Sequence, residues 1–166
     1  MTTAFLVRRA TLADVPTMVH QRVEMFRDIH GLADDQCELM AAASRRFLES
    51  ALPAGEYLAW LAAPHASPDE VVAGAGLQLR HAMPRVRRRA ESTQVVSGPQ
   101  GIVLNVFTER AWRRRGLAKL ILKHVIAGAR AAGVSDLVLH ASTEGRPLYE
   151  SLEFQPTNEM RYMGEL

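Results

Sequence analysis

Cysteine occurs once in the 166 residues, at Cys37. One thiol closes no intramolecular disulfide and completes no cysteine-based metal site within a chain, so a reducing compartment is expected. Long apolar runs are missing: nothing approaches the ~20 residues of a membrane-spanning helix. The N-terminal stretch lacks a basic region followed by an apolar segment and a cleavage site. Together these absences predict a cytoplasmic protein with no membrane partner. Aromatic residues are scarce at 6%, and none interleaves Arg85-Val86-Arg87-Arg88-Arg89, so that cluster has no platform for stacking a base. A strong excess of one charge is missing too; the net charge is +2, although a pI near 9.0 and two arginine clusters show local basic patches. Neither Gly-x-x-x-x-Gly-Lys-Ser/Thr nor Gly-x-Gly-x-x-Gly occurs, which removes the P-loop and the dinucleotide fingerprint.

What is present is concentrated in one stretch. Gly101-Ile102-Val103-Leu104-Asn105-Val106-Phe107-Thr108 is almost continuously apolar and β-branched, the pattern of a strand buried on both faces. Farther on, Leu117, Leu120, Ile121, Val125 and Ala129 recur at helical spacing, and Gly133 supplies a stop. Between them lies Trp112-Arg113-Arg114-Arg115-Gly116-Leu117-Ala118-Lys119, a basic turn at a helix N-terminus. Such an end presents unpaired N–H groups and the positive pole of the helix dipole, which suits a phosphate or pyrophosphate. Gly116 and Ala118 let a ligand oxygen approach the main chain, and the arginines add charge around it.

Arg113-x-x-Gly116-x-Ala118 resembles the Arg/Gln-x-x-Gly-x-Gly/Ala loop of the GCN5-related N-acetyltransferases, the GNAT family. The preceding strand, the following helix and Leu148-Tyr149-Glu150-x-Leu152-x-Phe154 downstream fall where that family has them. The resemblance implies a single α/β domain over residues 1–166. Its sheet is mixed and mostly antiparallel, with a central parallel pair that splays apart and helices on its flanks. It also implies acetyl-CoA as co-substrate and transfer of acetyl to an amine by direct attack, without a metal. The pyrophosphate is then expected on the backbone of Arg114, Arg115, Gly116, Leu117, Ala118 and Lys119, with Arg113 opening the motif. Val106, Phe107 and Thr108 take the positions that pair with pantetheine. Tyr149 takes that of the residue protonating the leaving sulfur, and Ser142 that of a coenzyme-arm contact, with an N-cap as its alternative. One departure is Glu153, where relatives commonly have glycine: a positive φ there would strain the glutamate.

The rest of the chain reads in order. Residues 5–10 form a strand, and Thr11 caps a helix running to about Ile29 with Val15, Met18, Val19, Arg22, Val23 and Phe26 on its inner face. A second helix spans Asp35 to about Leu52, ended by Pro53-Ala54-Gly55. By resemblance, these two helices form one wall of the acceptor cleft. Residues 57–62 and 71–79 form an antiparallel hairpin, and the polar, arginine-rich stretch from His81 to Pro99 reads as a long exposed loop, with a lid over an acidic substrate or the coenzyme as the sharper alternative. Residues 136–141 form a strand and 143–152 a short helix with Pro147 in its first turn, while Phe154 and residues 160–163 supply the last strands.

For a general base the residues offer Glu24, Asp28, Glu109 and His140 without a motif to choose among them. Asn105, polar within an apolar strand, either orients the acceptor or stabilises a bulge, since buried polar groups need partners. The acceptor stays open among a small polyamine or aminoglycoside-like molecule, an amino acid, a peptide N-terminus and a protein lysine. A non-catalytic acyl-CoA-binding module and a basic nucleic-acid-binding domain are the rival readings. A homodimer is common among relatives, but no stripe of this sequence specifies its interface.

Overall fold

The computed structural model of the chain describes residues 4–89, 91–157 and 159–164. Its elements are β1 (Phe5–Arg9), α1 (Val15–His30), α2 (Asp34–Ala51), β2 (Tyr57–Pro64), β3 (Ala73–Arg80), β4 (Arg85–Arg89), β5 (Ser92–Val96), β6 (Gln100–Thr108), α3 (Leu117–Ala131), β7 (Asp136–Leu139) and α4 (Arg146–Glu150). The main sheet has the order β1-β2-β3-β6-β7. All its neighbours are antiparallel except β6 and β7, which run parallel because α3 crosses over between them.

The sheet is covered on both faces, which explains the nearly unbroken apolar text of β2. On one face α3 seats Leu117, Ile121, Leu122, Val125 and Ala129 against Trp60, Ala62, Ala73, Ala75, Leu77 and Val103. Each large side chain buried there stabilises the fold by about 1.5–3 kcal/mol relative to exposure. On the other face Val15, Met18 and Val19 of α1 and Leu48 and Ala51 of α2 pack on Tyr57, Ala59 and Leu61.

Two helix ends bear on the site. At the end of α3, Gly133 (φ +67°) donates to Arg130 O at 3.1 Å and Val134 to Ala129 O at 3.0 Å, a Schellman closure. After α4 the same two bonds recur, Glu153 N–H to Glu150 O and Phe154 N–H to Tyr149 O, both 3.1 Å. Here the left-handed position is held by Glu153 at φ +69°. The suspected strain at the missing glycine is therefore real, and the turn is kept despite it.

Two expectations need correction. Residues 81–99 are not one loop: β4 and β5 pair as an antiparallel ribbon, a separate two-stranded sheet. It is tethered by charge rather than by apolar packing. Arg85 Nη2 donates to Ser135 Oγ at 2.8 Å, Arg85 Nε lies 3.3 Å from Asp136 Oδ2, Arg87 Nη2 lies 3.5 Å from Asp136 Oδ1, and Arg87 also donates to Ser135 O, whereas Val86 is exposed. A hydrophobic pattern could not reveal it. The tether sits at the start of β7, the end of the parallel pair opposite the basic turn, so those two arginines do not close over that turn. The described residues beyond α4 form no strand. Pro156 offers no N–H to a ladder, and Met160, Tyr162 and Met163 stay exposed, so no apolar burial holds that segment against β7.

Candidate active site

Strand β6 parts from its parallel neighbour in mid-course. Its ladder with β7 ends at Val103↔Leu139, yet β6 continues to Thr108. Between Gly74↔Phe107 and Gly76↔Leu104 the register with β3 shifts, so Ala75 faces both Asn105 and Val106. This is a β-bulge, and Asn105 takes φ +54° within it. Regular pleating would send Leu104 and Asn105 to opposite faces. The bulge instead brings both to the α1/α2 side, where they line one cavity, and returns Val106 to the α3 side. Glu109 N–H bonds Val72 O at 2.9 Å, toward β3. By alternation the main-chain groups of Val106 and Thr108 point the other way, into the side β7 has left.

The asparagine is satisfied on both ends. Its Nδ2 donates to Tyr57 Oη at 2.8 Å, and Arg22 Nη1 donates to its Oδ1. Tyr57 is buried, and desolvation raises its pKa to about 12, so its phenol is neutral at physiological pH. Gly76 makes this possible, because a Cβ there would overlap the Tyr57 hydroxyl. The cavity beneath α1 and α2 has a volume of about 240 Å³ and is walled by both helices.

At the far end of β6 the chain turns through Arg110-Ala111-Trp112 and Arg113 into a left-handed Arg114 (φ +64°) and a left-handed Gly116 (φ +78°), the N-cap of α3. The first helical bond is Leu120 N–H to Gly116 O at 3.0 Å. The six preceding amides, of Arg114, Arg115, Gly116, Leu117, Ala118 and Lys119, have no acceptor among the described residues. Six adjacent donors at the positive end of a helix fit a diphosphate, and no side chain lies within 4 Å of where a Gly116 Cβ would be.

The arginines of the turn divide their work. Arg113 Nη2 binds Asp28 Oδ2 at 2.6 Å and its Nε binds Thr108 O at 3.0 Å, so its side chain ties the turn to β6 and α1. Arg110 also pairs with Asp28, and these two guanidinium bonds hold the Asp28 carboxyl below the usual carboxylate range. Arg115 stacks on Trp112 at 4.7 Å. Arg114 and Lys119 make no ion pair or hydrogen bond with a side chain among the described residues, which leaves their charges to a ligand.

Tyr149 is half-buried, its ring edge-on to Phe154 at 6.1 Å, the contact that accompanies a Schellman closure. Burial raises its pKa, and its hydroxyl has no partner among the described residues. It lines a cavity of about 640 Å³ along β7 and α4 together with Ser142. Ser142 Oγ accepts the Gly145 N–H at 3.1 Å, the capping role weighed for it above. The four base candidates are each engaged elsewhere: Asp28 as described, Glu24 with Arg27 at 3.0 Å, Glu109 with His20 at 3.2 Å and His140 with Glu159 at 2.6 Å. A further cavity of about 700 Å³ beside His20, Glu24, Glu70 and Glu109 touches neither Asn105 nor Tyr149. Sequence reasoning passed over Arg22 and Tyr57. The available signal was a charged residue on the otherwise apolar inner face of α1.

Comparison with known proteins agrees with this geometry. The family model described as an acetyltransferase (GNAT) domain matches residues 95–165. No curated protein matches the sequence. Among solved structures, a GCN5-related N-acetyltransferase from Ralstonia eutropha JMP134 is 25% identical with a TM-score of 0.80, covering 95% of this chain and 97% of its own. A predicted acetyltransferase from Clostridium acetobutylicum, solved with acetyl-CoA, is 22% identical with a TM-score of 0.77 and 96% of both chains covered. Glucosamine-6-phosphate N-acetyltransferase from Arabidopsis thaliana shares the fold at 15% identity and a TM-score of 0.62, with 98% of this chain and 97% of that one covered. The basic turn lies inside the matched segment, and the fold is shared over nearly the whole length, so the chain is similar to the GNAT acetyltransferases in residues 95–165 and in its overall architecture.

Proposed function

We propose that the protein, as a single domain over residues 1–166, transfers acetyl from acetyl-CoA to a primary amine by direct attack in a ternary complex. The observation that carries this reading is the run of six acceptor-less amides from Arg114 to Lys119 at the mouth of a strand pair that has parted. Bound there, acetyl-CoA supplies an activated acyl group as a thioester. The turn amides, with Arg114 and Lys119, hold the diphosphate. Arg113 acts through its bonds to Asp28 and Thr108 O, fixing the turn rather than touching the ligand. The outward main-chain groups of Val106 and Thr108, with Phe107 between them, orient the pantetheine arm as an added strand does and place an N–H toward the acyl oxygen. Ser142 shapes the start of α4 through its cap and lies beside the arm.

Tyr149 holds a proton at Oη, kept there by burial, and delivers it to the leaving sulfur. Among the described residues no carboxylate or imidazole lines the α1/α2 cavity, and the amine proton is given to solvent. A basic nucleic-acid surface is disfavoured because Arg85 and Arg87 are spent on Asp136. The test is release of free thiol from acetyl-CoA across an amine panel, followed by single-turnover measurement of Tyr149→Phe. Turnover that falls about 10²-fold or more in the variant, with coenzyme affinity kept, supports the assignment. Coenzyme binding without turnover on any amine would point instead to an acyl-CoA sensor.

A further inference from the structure

Of the described side chains, three arginines are half-buried by the fold. Arg85 and Arg87 share the carboxylate of Asp136. Arg22 has no carboxylate partner among the described residues: its one hydrogen bond goes to Asn105 Oδ1, and its guanidinium lies 4.8 Å over the Phe26 ring. A guanidinium carries five N–H donors, so most of this one's capacity is unspent at the wall of a cavity. Taking a cation out of water without a counter-ion is costly, and burial accordingly pushes the Arg22 pKa down.

The cavity itself limits what can supply the missing charge. Among the described residues Arg22 is the one charged group lining it; Met40, Ala43, Phe47, Leu48 and Leu104 give the apolar part of the wall, and Ser44, Gln78, Tyr57 and Asn105 the neutral polar part. At about 240 Å³ it lies below the ~300–1,000 Å³ usual for drug-sized ligands. A single cation matches a single carboxylate, whereas a phosphate ester with about −1.5 to −2 charge would call for a second. Tyr57 also lines the cavity, and its Oη, which accepts from Asn105 Nδ2, has no acceptor for its own proton among the described residues. Both donors are joined through Asn105, which sits on the bulge where β6 has just left β7.

We propose that this cavity receives an amino carboxylate: the acetyl acceptor is a small primary amine bearing one carboxylate, held by the Arg22 guanidinium, with an apolar side chain among Met40, Phe47 and Leu48. The proposal rests on the acetyl-transfer reading above and names the acceptor class for it. Arg22 is a binding residue here, and Asn105 positions it.

The experiment has two arms. In the first, L-leucine, L-leucinamide, isopentylamine and phosphoethanolamine are compared as acceptors by kcat/KM. In the second, binding of N-acetyl-L-leucine and N-acetyl-L-leucinamide to protein without coenzyme is followed by calorimetry. We expect leucine to exceed leucinamide and isopentylamine by roughly tenfold or more, as a charge-assisted hydrogen bond implies. The acetylated acid should bind more tightly than its amide by a similar factor. Arg22→Met should bring both ratios near one, and Arg22→Lys, which keeps the charge but not the fork, should reduce them several-fold even if the methionine variant does not fold. Turnover of amines with no carboxylate preference, or a preference for phosphoethanolamine, overturns the proposal and leaves acetyl transfer standing. Arg22-dependent binding of N-acetyl-L-leucine without turnover on any amine upholds the carboxylate site and overturns the transfer reading. Neither binding nor turnover overturns both.

Discussion

Replacing Glu153 by glycine tests whether the Tyr149 helix is closed by a strained residue. Glu153 is exposed, makes no hydrogen bond or ion pair with its carboxylate among the described residues, and holds φ +69° at the position that Gly133 fills after α3. A left-handed conformation costs an L-residue about 1–2 kcal/mol. Glycine removes that cost but loses about 0.4–1 kcal/mol through the greater freedom of its unfolded chain. The difference leaves a net stabilisation of about 0.5–1 kcal/mol. For a chain of this size that raises Tm by roughly 1–4 °C. Glu153→Ala is the control, since alanine keeps the strain and removes the same exposed side chain; its stability should stay within about 0.5 kcal/mol of the parent. Chemical denaturation of the three proteins side by side, compared by midpoint at constant m-value, makes the measurement. The bonds from Glu153 and Phe154 to Glu150 O and Tyr149 O do not involve the side chain, so Tyr149 keeps its place and acetyl transfer should be unchanged. If the glycine variant is no more stable than the alanine variant, the position is not strained and the reasoning about this turn fails.

Other perturbations give distinct signatures. Asp28→Ala releases Arg110 and Arg113, so acetyl-CoA affinity should fall about three- to tenfold while the surface ion pairs it breaks cost at most ~1 kcal/mol of stability; unchanged affinity would mean the turn needs no anchor. Because those arginines hold the Asp28 carboxyl below the usual range, the anchor should survive acidification through the ordinary carboxylate range, and coenzyme binding should weaken only at more acid pH. Tyr57 is protonated up to about pH 12 in the fold, whereas the unfolded phenol ionises near 10. Between those values the unfolded chain binds fewer protons, so stability declines as pH rises, by roughly 3 kcal/mol in total. Tyr57→Phe should flatten the profile between pH 10 and 12, and an identical slope in both proteins would remove Tyr57 from the account.

Much of this architecture is legible in the amino-acid order where one local rule suffices. The strand ahead of Arg113 reads from its apolar run, α3 from its spacing, its end from Gly133, and the anomaly at Glu153 from the glycine it replaces. What is hidden depends on distant partners or on a broken period. Strict alternation puts Asn105 on the opposite face from Leu104, and only the bulge against Ala75 joins it to Arg22 and Tyr57. Three consecutive arginines look equivalent until Asp28, 85 positions from Arg113, claims one of them and Trp112 another. The β4–β5 ribbon escapes a hydrophobic reading because ion pairs to Asp136 hold it. The stretch beyond Phe154 fails in the other direction, its methionines and Tyr162 suggesting burial that the fold does not provide.

We propose that the amides from Arg114 to Lys119 hold the diphosphate of acetyl-CoA. Calorimetric titration of the protein with acetyl-CoA and with S-acetylpantetheine, repeated at raised salt and on Gly116→Glu, tests it most directly. A side chain at Gly116 meets open space within the protein, so apart from the cost of φ +78° the variant should fold. Acetyl-CoA should bind saturably and more weakly as salt is raised, the ligand lacking the diphosphate should bind at least about tenfold more weakly, and the folded variant should show no measurable binding. Equal affinity for acetyl-CoA in the wild-type protein and a folded Gly116→Glu variant would contradict it.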